Sequence, residues 1–325
     1  MPKILGVDGG GSKTYTVICD EKGNRLSTGL SGCGNYQTIG IDNAVANIKE
    51  SIEKALSDAS LTYSDIDFVQ YGLAGADRPK DFSIIRKGLQ VLPFQSWDVV
   101  CDTMEGLRIG AKDNTGVVLI CGAGTNAAGR NKGGDVVQTG GFGYLYGDWA
   151  GGEQMATETF RAAVRSWERR EIPSILTERV PEFFQYEGME ALINDFLDHE
   201  RSTVPFDLTL LLHEAADSGD QLSISIMEKT GRELGKAALS VIRRLGGFGE
   251  TVPIVLTGSV LQKGRNEHLL QALRDELMSE NMTFEFIIPV LEPVYGALLL
   301  GMDRLKLTVT DDIYTKFSKY GGVTK

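Results

Sequence analysis

One pattern occurs twice in this chain of 325 residues: a short buried strand, a glycine-rich loop and then a β-hairpin. The first copy begins at residues 4–7 and continues through the glycines at 9–11. The second begins at residues 116–121 and continues through the glycines at 122 and 124. Two similar halves of this kind predict an α/β protein of two lobes, with a ligand cleft between them.

After each hairpin, the hydrophobic periodicity predicts further helices and strands. Ile41, Val45, Ile48 and Ile52 recur at spacings of three and four, which predicts an amphipathic helix. Residues 153–245 read as one long helical region in the second half. The tail at 308–325 carries no recognisable motif, and the sequence assigns it no role.

The charge and composition of the chain restrict its partners. With 33 basic and 44 acidic residues the net charge is −11, which disfavours nucleic acid and anionic lipid surfaces. No apolar run approaches the roughly 18 residues of a membrane span, and residues 1–3 leave no room for a signal peptide. A soluble, cytoplasmic protein is therefore expected. The four cysteines are scattered and the three histidines lie away from the glycine loops, which disfavours a zinc site and histidine-dependent catalysis.

The first glycine loop, DGGGSKT, resembles a Walker A loop but does not have its spacing. Ser12 precedes Lys13 where that motif requires glycine, and a strand follows where it requires a helix. A phosphate-binding hairpin and a plain turn both remain open. Backbone amides with the hydroxyls of Ser12 and Thr14 suit phosphate oxygens, and Asp8 could hold Mg²⁺ through water.

The second glycine loop, GAGTNA, matches the dinucleotide fingerprint only formally. That fingerprint opens a helix, whereas here residues 126–131 run as a strand to a Gly-Gly turn. The loop is either another tight turn or a second phosphate loop facing the first. The repeat of glycine followed by a hydroxyl residue favours the phosphate loop.

Three polar residues near these loops each have a structural and a functional interpretation. Asp102 ends a strand and precedes Glu105 by three positions, so it is either the N-cap of a capping box or a general base at the carboxyl end of a strand. Asn35 is either a turn residue or a ligand-binding residue, and Asp148 either orders its loop or binds ligand. Together they favour a site for a small ligand.

These motifs, in this order, resemble a known family. Residues 8–14 and 119–124 look like the two phosphate motifs of the actin, Hsp70 and sugar-kinase superfamily, and residues 255–259 are similar to its adenosine motif. Residues 72–76, 122–126 and 140–148, together with Asp102, resemble the N-acetylglucosamine kinase branch of the BadF/BadG/BcrA/BcrD-type ATPase family. The similarity runs from about residue 4 to residue 302.

The resemblance implies two ribonuclease-H-like, actin-like ATPase lobes that close over ATP and sugar. Residues 1–115 and a returning C-terminal segment, 292–325, would form the N-terminal lobe, and residues 116–291 the C-terminal lobe. The implied reaction transfers phosphate from ATP, with Mg²⁺, to the 6-hydroxyl of an N-acetylated amino sugar, and Asp102 takes the hydroxyl proton. A homodimer is expected by the same analogy.

The family motifs also imply individual site residues. The implied nucleotide-binding residues are Asp8, Gly9, Gly10, Gly11, Ser12, Lys13, Thr14, Gly122, Ala123, Gly124, Thr125, Gly258 and Ser259. The implied substrate-binding residues are Asn35, Asp102, Gly141, Phe142, Gly143 and Asp148, with Asp8 as the metal-holding residue.

The chain departs from the family pattern at three positions. Ala123 stands where these kinases carry threonine, so Thr125 is expected to substitute, and Phe142 stands for a tryptophan. Trp149 replaces the glutamate that follows Asp148, which leaves the sugar open between N-acetylglucosamine, N-acetylmuramic acid and another amino sugar such as glucosamine. The rival functions are a BadF-type activator ATPase of a reductase, disfavoured by the scattered cysteines, and a nucleotide-dependent structural protein or chaperone.

Overall fold

The structure, a computed structural model, describes residues 1–249, 251–280 and 282–321. It divides into two compact units. The first unit comprises Met1–Val118 and the chain from Ile287 onward, and the second comprises Leu119–Phe286. No helix in the described ranges is both long and apolar enough to cross a membrane.

The first unit is built on a mixed five-stranded sheet. Its strands are β1 (Lys3–Gly9), β2 (Thr14–Asp20), β3 (Arg25–Ser31), β4 (Phe68–Leu73) and β5 (Trp97–Cys101), in the order β3-β2-β1-β4-β5. The first three strands pair antiparallel, while β4 and β5 run parallel to β1. The register sets Asp8 opposite Gly72 and Leu73 opposite Cys101, so the carboxyl ends of three parallel strands share one edge.

Helices cover the sheet of the first unit. Its N-terminal part contains α1 (Tyr36–Ile39), α2 (Ile41–Asp58), α3 (Pro79–Leu89) and α4 (Asp102–Gly110). The apolar side of α2 packs on the sheet through Val45, Ile48 and Ile52, which confirms the helix predicted from their spacing.

The second five-stranded sheet, which lies almost entirely in the second unit, has the same strand arrangement. Its strands are β6 (Gly116–Cys121), β7 (Thr125–Arg130), β8 (Val136–Thr139), β9 (Val252–Thr257) and β10 (Phe284–Ile287), in the order β10-β9-β6-β7-β8. In both sheets the strand that precedes the glycine loop, β1 or β6, is central. The two hairpin strands that follow the loop lie on one side of it, and the two later strands lie on the other. The repeat and the two-lobed α/β fold class predicted from the sequence are therefore confirmed, while the cleft between the lobes stays a prediction.

The region predicted as one long helical stretch consists of five helices. They are α5 (Gly152–Trp167), α6 (Leu176–Phe183), α7 (Met189–Asp198), α8 (Leu208–Asp217) and α9 (Gln221–Arg244), and α10 (Glu267–Met278) follows β9. Asp220 illustrates why the chain breaks: its carboxylate accepts hydrogen bonds from the backbone N–H of Ser223, capping α9, and from Ser174 before α6.

The chain then returns to the first unit as α11 (Pro293–Arg304) and α12 (Asp311–Tyr320). The second of these helices lies in the tail for which the sequence showed no motif. Ile313 and Phe317, four positions apart on α12, are buried, and the Phe317 ring lies 4.8 Å from that of Tyr295. Part of the tail therefore completes the core on one face of the first sheet, and residues 322–325 lie outside the described residues.

Candidate active site

The loop between β1 and β2 is tightly packed at its base and exposed at its tip. Gly10 donates its N–H to the Lys13 carbonyl at 2.9 Å, and Gly34 donates to the Gly10 carbonyl at 2.9 Å. A Cβ on Gly9 would lie 2.6 Å from the end of the Leu73 side chain, so a larger residue here would require that side chain to shift. Ser12 and Lys13 at the tip are exposed, where a phosphate could reach them.

Thr14 has a structural contact in this loop. Its side chain is buried, and its hydroxyl donates to the Gly32 carbonyl at 2.9 Å. This hydrogen bond joins the first glycine loop to the loop before α1, and Ser12 is left as the exposed hydroxyl. A direct contact between Thr14 and phosphate stays a prediction.

Asp102 is the first residue of α4, directly after β5. The capping-box interpretation is wrong: Cys101 is the N-cap residue, no side chain caps the helix, and Glu105 points into the core. One Asp102 oxygen accepts a hydrogen bond from the Cys101 thiol at 3.3 Å. Burial raises the pKa of Asp102, the thiol hydrogen bond lowers it, and the nearby Asp77 carboxylate raises it.

Asp8, near the end of β1, lies in the same electrostatic environment. Burial and then the charge of Asp102 raise its pKa to about 7; Lys13 lowers the pKa within that balance, and Glu292 adds a smaller increase. A carboxylate in such surroundings is poorly compensated by the protein alone. It is suited to a site that receives positive charge with its ligand.

Glu105 lies beneath these two carboxylates and is fully buried. Neither of its side-chain oxygens has a hydrogen-bond partner among the described residues. A Cβ on Gly72 would come within 2.0 Å of the Glu105 carboxyl carbon, so the absence of a side chain at Gly72 makes room for this acid. Burial, and then the charges of Asp8 and Asp102, hold the pKa of Glu105 well above its usual value.

Asn35 and the loop after β4 lie close to one another. Asn35 is the N-cap of α1, and its Oδ1 accepts from the Gln37 N–H at 2.9 Å. A Cβ on Gly75 would fall 2.8 Å from that oxygen, and the Gln37 side chain donates to the Gly75 carbonyl at 3.2 Å. The Asn35 loop thus packs on the loop that follows β4, at the edge of the sheet where Asp8 and Asp102 lie.

In the second unit, the second glycine loop packs against the start of α5. Gly152 donates to the Gly122 carbonyl at 2.8 Å, and Glu153 donates to the Ala123 carbonyl at 3.0 Å. The loop leads into β7 rather than into a helix, as its sequel in the sequence predicts. Thr125 donates its hydroxyl to the Ile120 carbonyl at 3.1 Å, so its substitution for a threonine at position 123 stays a prediction.

The predicted adenosine motif lies beside the second glycine loop. Gly258 has a φ of +87°, and a Cβ there would lie 2.4 Å from the Cys121 carbonyl oxygen. Glycine is therefore required at position 258, both by the positive φ and by the close approach of the backbone at Cys121. Ser259, the next residue, is exposed.

Asp148 orders the loop predicted to bind sugar. Its Oδ2 accepts from the N–H groups of Phe142 at 2.8 Å and Gly143 at 2.6 Å. At Gly141 a Cβ would lie 2.7 Å from the Asn126 amide nitrogen, and the buried Asn126 Oδ1 has no hydrogen-bond partner among the described residues. This places an unsatisfied amide oxygen beside the ordered loop, where a ligand hydroxyl or N–H could donate to it.

Trp149, the departure from the family pattern, is held by α9. The Lys229 ammonium lies 3.3 Å from the Trp149 ring centroid, a cation–π contact. The Tyr144 ring, in the loop at residues 140–148, lies 6.0 Å from the Trp149 ring. Trp149 therefore connects that loop to α9.

These elements enclose a cavity of about 230 Å³ within the second unit. Its wall combines Asn126, Asp148 and Trp149 with Glu233 and Lys236 of α9. The Lys236 ammonium lies 2.8 Å from a Glu233 oxygen. Two carboxylates and one ammonium thus give this wall a single negative charge.

Several of these residues could not be identified from the sequence. Three other acids interact electrostatically with Asp8 or Asp102. They are Asp77 in the loop after β4, Glu105 inside α4 and Glu292 at the N-cap of α11. Glu233 and Lys236 lie inside an ordinary amphipathic helix, where charged residues usually face solvent. For Cys101 and Glu105, the sequence offered one signal, which is that they lie one and three positions from Asp102, the predicted base. Among the described residues, no group of three or more histidine, cysteine, aspartate or glutamate residues could hold a metal ion.

Two curated proteins show sequence similarity over most of the chain. An N-acetyl-D-glucosamine kinase from Dictyostelium discoideum is 30% identical over 316 residues, which cover 93% of this chain and 98% of that protein. An N-acetylmuramic acid/N-acetylglucosamine kinase from Clostridium acetobutylicum is 28% identical over 266 residues, covering 80% of this chain and 86% of the relative.

Solved structures share the fold. A candidate N-acetylglucosamine kinase from Chromobacterium violaceum has a TM-score of 0.66 at 23% identity. The match covers 92% of this chain and 99% of the kinase chain. A ROK hexokinase from Thermus thermophilus has a TM-score of 0.57 at 18% identity, covering 94% and 99%. The model of the BadF/BadG/BcrA/BcrD ATPase family matches residues 5–301. The chain therefore belongs to the BadF/BadG/BcrA/BcrD ATPase family.

Proposed function

We propose that this protein transfers the γ-phosphate of ATP to the 6-hydroxyl of an N-acetylated amino sugar, with N-acetylglucosamine as the substrate. Both curated relatives are kinases that act on N-acetylglucosamine. The observation that carries the proposal is the position of Asp102, at the carboxyl end of β5 and within electrostatic reach of Asp8 beside the first glycine loop. In open α/β sheets this edge holds the ligand.

Asp102 acts as the general base. Its raised pKa makes the Asp102 carboxylate a stronger base than an ordinary aspartate, which favours proton transfer from the sugar hydroxyl. As the sugar oxygen forms its bond to the γ-phosphorus, the hydroxyl proton passes to Asp102. The bond between the γ-phosphorus and the bridging oxygen breaks, and its electron pair leaves with ADP.

The glycine loops bind the nucleotide in this proposal. Ser12 and the backbone amides at the exposed tip of the first loop, residues 11–13, hold phosphate, as do residues 122–125, while Gly258 and Ser259 approach the adenosine. Catalysis of phosphoryl transfer depends mainly on such positioning and charge stabilisation. Mg²⁺ fits beside Asp8, because this ion favours one or two carboxylates together with phosphates and retained waters, and it would neutralise phosphate charge.

The cavity of the second unit favours a neutral sugar. Asn126 offers its unsatisfied amide oxygen, and the ordered Asp148 loop presents Gly141 and Phe142. The single negative charge of the wall disfavours the carboxylate of N-acetylmuramic acid, because Lys236 is already paired with Glu233. We therefore place N-acetylglucosamine ahead of N-acetylmuramic acid, glucosamine and glucose.

A coupled assay of ADP release tests the function. Purified protein with ATP and Mg²⁺ is offered each of the four sugars, and sugar-dependent turnover is expected to be greatest with N-acetylglucosamine. Asp102→Asn is expected to reduce kcat by at least about a thousandfold while sugar and ATP binding, measured by calorimetry, change little. The matched control, Asp113→Asn, changes an exposed aspartate in the loop after α4 and is expected to retain activity. ATP turnover that no sugar stimulates contradicts the proposal.

The activator ATPase is the weaker alternative. An iron–sulfur cluster requires thiolate ligands, yet Cys19, Cys101 and Cys121 are buried. Burial raises the pKa of the Cys121 thiol to about 12, which keeps it protonated. We further propose a homodimer that works in the cytoplasm on a small sugar, without nucleic acid or membrane partners.

A further inference from the structure

Cys101 lies between two carboxyl groups that come from different parts of the chain. It is the last residue of β5 and is buried. Its sulfur is 3.3 Å from an Asp102 oxygen and 3.6 Å from an Asp77 oxygen, both within hydrogen-bonding distance of a thiol. Asp102 begins α4, whereas Asp77 lies in the loop between β4 and α3.

The thiol is a hydrogen-bond donor in this position. It carries one hydrogen, which the two carboxyl oxygens share. Burial, followed by the charge of Asp102, holds the pKa of Cys101 well above that of a free thiol. The group therefore stays protonated and is neither a nucleophile nor a readily oxidised thiolate.

An uncharged donor has a specific advantage beside a general base. A lysine or arginine in the same place would pair with the Asp102 carboxylate and lower its affinity for the sugar proton. A thiol orients the carboxylate through a weak hydrogen bond and leaves it basic. Leu73 pairs with Cys101 across β4 and β5, so the sheet register places Cys101 beside the start of the loop that carries Asp77.

We propose that Cys101 is a positioning residue for the reaction: its thiol holds the Asp102 carboxylate in its productive orientation and links it to the Asp77 loop. This inference rests on the proposed function of Asp102 as the base. It predicts a loss in the chemical step when the donor is removed, with little change in ground-state binding.

The test compares Cys101→Ala with Cys101→Ser. Alanine removes the donor, and kcat is expected to fall about tenfold, while the KM values for sugar and ATP stay within about twofold. Serine keeps an O–H donor, and kcat is expected to return to within about threefold of the wild type. A residue that only packs gives the opposite order, because a buried hydroxyl is less compatible with an apolar site than a methyl group.

The matched control uses Cys19, a buried thiol in the core face of β2. Cys19→Ala and Cys19→Ser are expected to change the stability of the protein. Neither is expected to lower kcat, in contrast to Cys101→Ala. Equal activity of Cys101→Ala and wild type, or lower activity of Cys101→Ser than of Cys101→Ala in folded protein, overturns the proposal.

A spectroscopic measurement tests the hydrogen bond without using activity. In Raman spectra, the S–H stretching band that disappears in Cys101→Ala is expected at lower frequency than the band that disappears in Cys19→Ala. It is expected to move to higher frequency in Asp102→Asn, since an amide oxygen is a weaker acceptor than a carboxylate. Absence of sugar-dependent turnover in the wild type contradicts the proposed function, whereas an unshifted Cys101 band contradicts the hydrogen bond itself.

Discussion

Asp8→Asn is expected to stabilise the ligand-free protein, although it removes a residue of the proposed nucleotide site. The pKa of Asp8 is raised from 3.8 to about 7 in the folded protein, because the side chain is largely withdrawn from water and lies near Asp102 and Glu292. In the unfolded chain the group ionises near its ordinary value. The folded state therefore holds a proton that the unfolded state releases, and this destabilises the fold as the pH rises.

The size of the effect follows from the pKa difference. Each pH unit between 3.8 and about 7 contributes about 1.4 kcal/mol, so the full destabilisation above pH 7 is at most about 4 kcal/mol. Solvent reaches part of the Asp8 side chain, which reduces the expected value to about 2–4 kcal/mol. Below the unfolded pKa of 3.8 both states are protonated, and the effect disappears. Asparagine, which is neutral at every pH, removes the destabilisation.

Urea unfolding of wild type and Asp8→Asn at several pH values between about 4 and 8 measures the difference. The protein is kept free of nucleotide and Mg²⁺, since ligands that bind the folded state add their own stabilisation. Near pH 8 the free energy of unfolding is expected to be about 2–4 kcal/mol higher in the variant, and near pH 4 by about 0.5 kcal/mol.

The control for this measurement is Asp58→Asn, an exposed aspartate at the end of α2. It is expected to change stability by less than about 0.5 kcal/mol at each pH. If wild type and Asp8→Asn show the same dependence on pH, or if the variant is less stable near pH 8, the assignment of Asp8 as an uncompensated carboxylate is refuted.

Three further predictions concern one residue of the first unit and two of the second. Glu105→Gln is expected to stabilise the protein above pH 4.5, increasingly as the pH rises, because the raised pKa of Glu105 costs stability only where the unfolded glutamate is ionised; urea unfolding at acidic and alkaline pH checks this, and a constant difference counts against it. Glu233→Gln is expected to raise kcat/KM for N-acetylmuramic acid about fivefold relative to N-acetylglucosamine by removing one negative charge from the cavity wall, whereas Glu228→Gln, on the same helix outside that cavity, leaves the ratio unchanged; equal ratios in both variants exclude this role. Gly258→Ala is expected to lower the free energy of unfolding by at least about 2 kcal/mol because of its positive φ and close backbone contact, whereas Gly188→Ala, at an extended and uncrowded position, costs less than about 1 kcal/mol; thermal denaturation that ranks them equally contradicts the backbone argument.

Features that depend on neighbouring residues could be predicted from the sequence. The strand after each glycine loop and the amphipathic α2 both follow from periodicity and turn residues within a few positions. The two-lobed fold could be predicted for the same reason, because the strand, loop and hairpin pattern repeats.

Local patterns gave the wrong result where tertiary packing took precedence. The Asp102 and Glu105 spacing matches a capping box, but the space beside Gly72 accepts the Glu105 carboxyl and draws it into the core. The tail showed no motif, yet Ile313 and Phe317 are buried on α12 because α11 and the first sheet leave an apolar surface there.

The chemistry of the site was decided by contacts between residues far apart in the chain. Sheet register brings Cys101 beside the loop of Asp77, and helix packing places Lys229 against Trp149, 80 positions away. The sequence determined which groups were available and which segments would carry them. Only the tertiary structure set their distances and burial, and these fix their proton affinities, because desolvation and charge interactions depend on position in space rather than on separation along the chain.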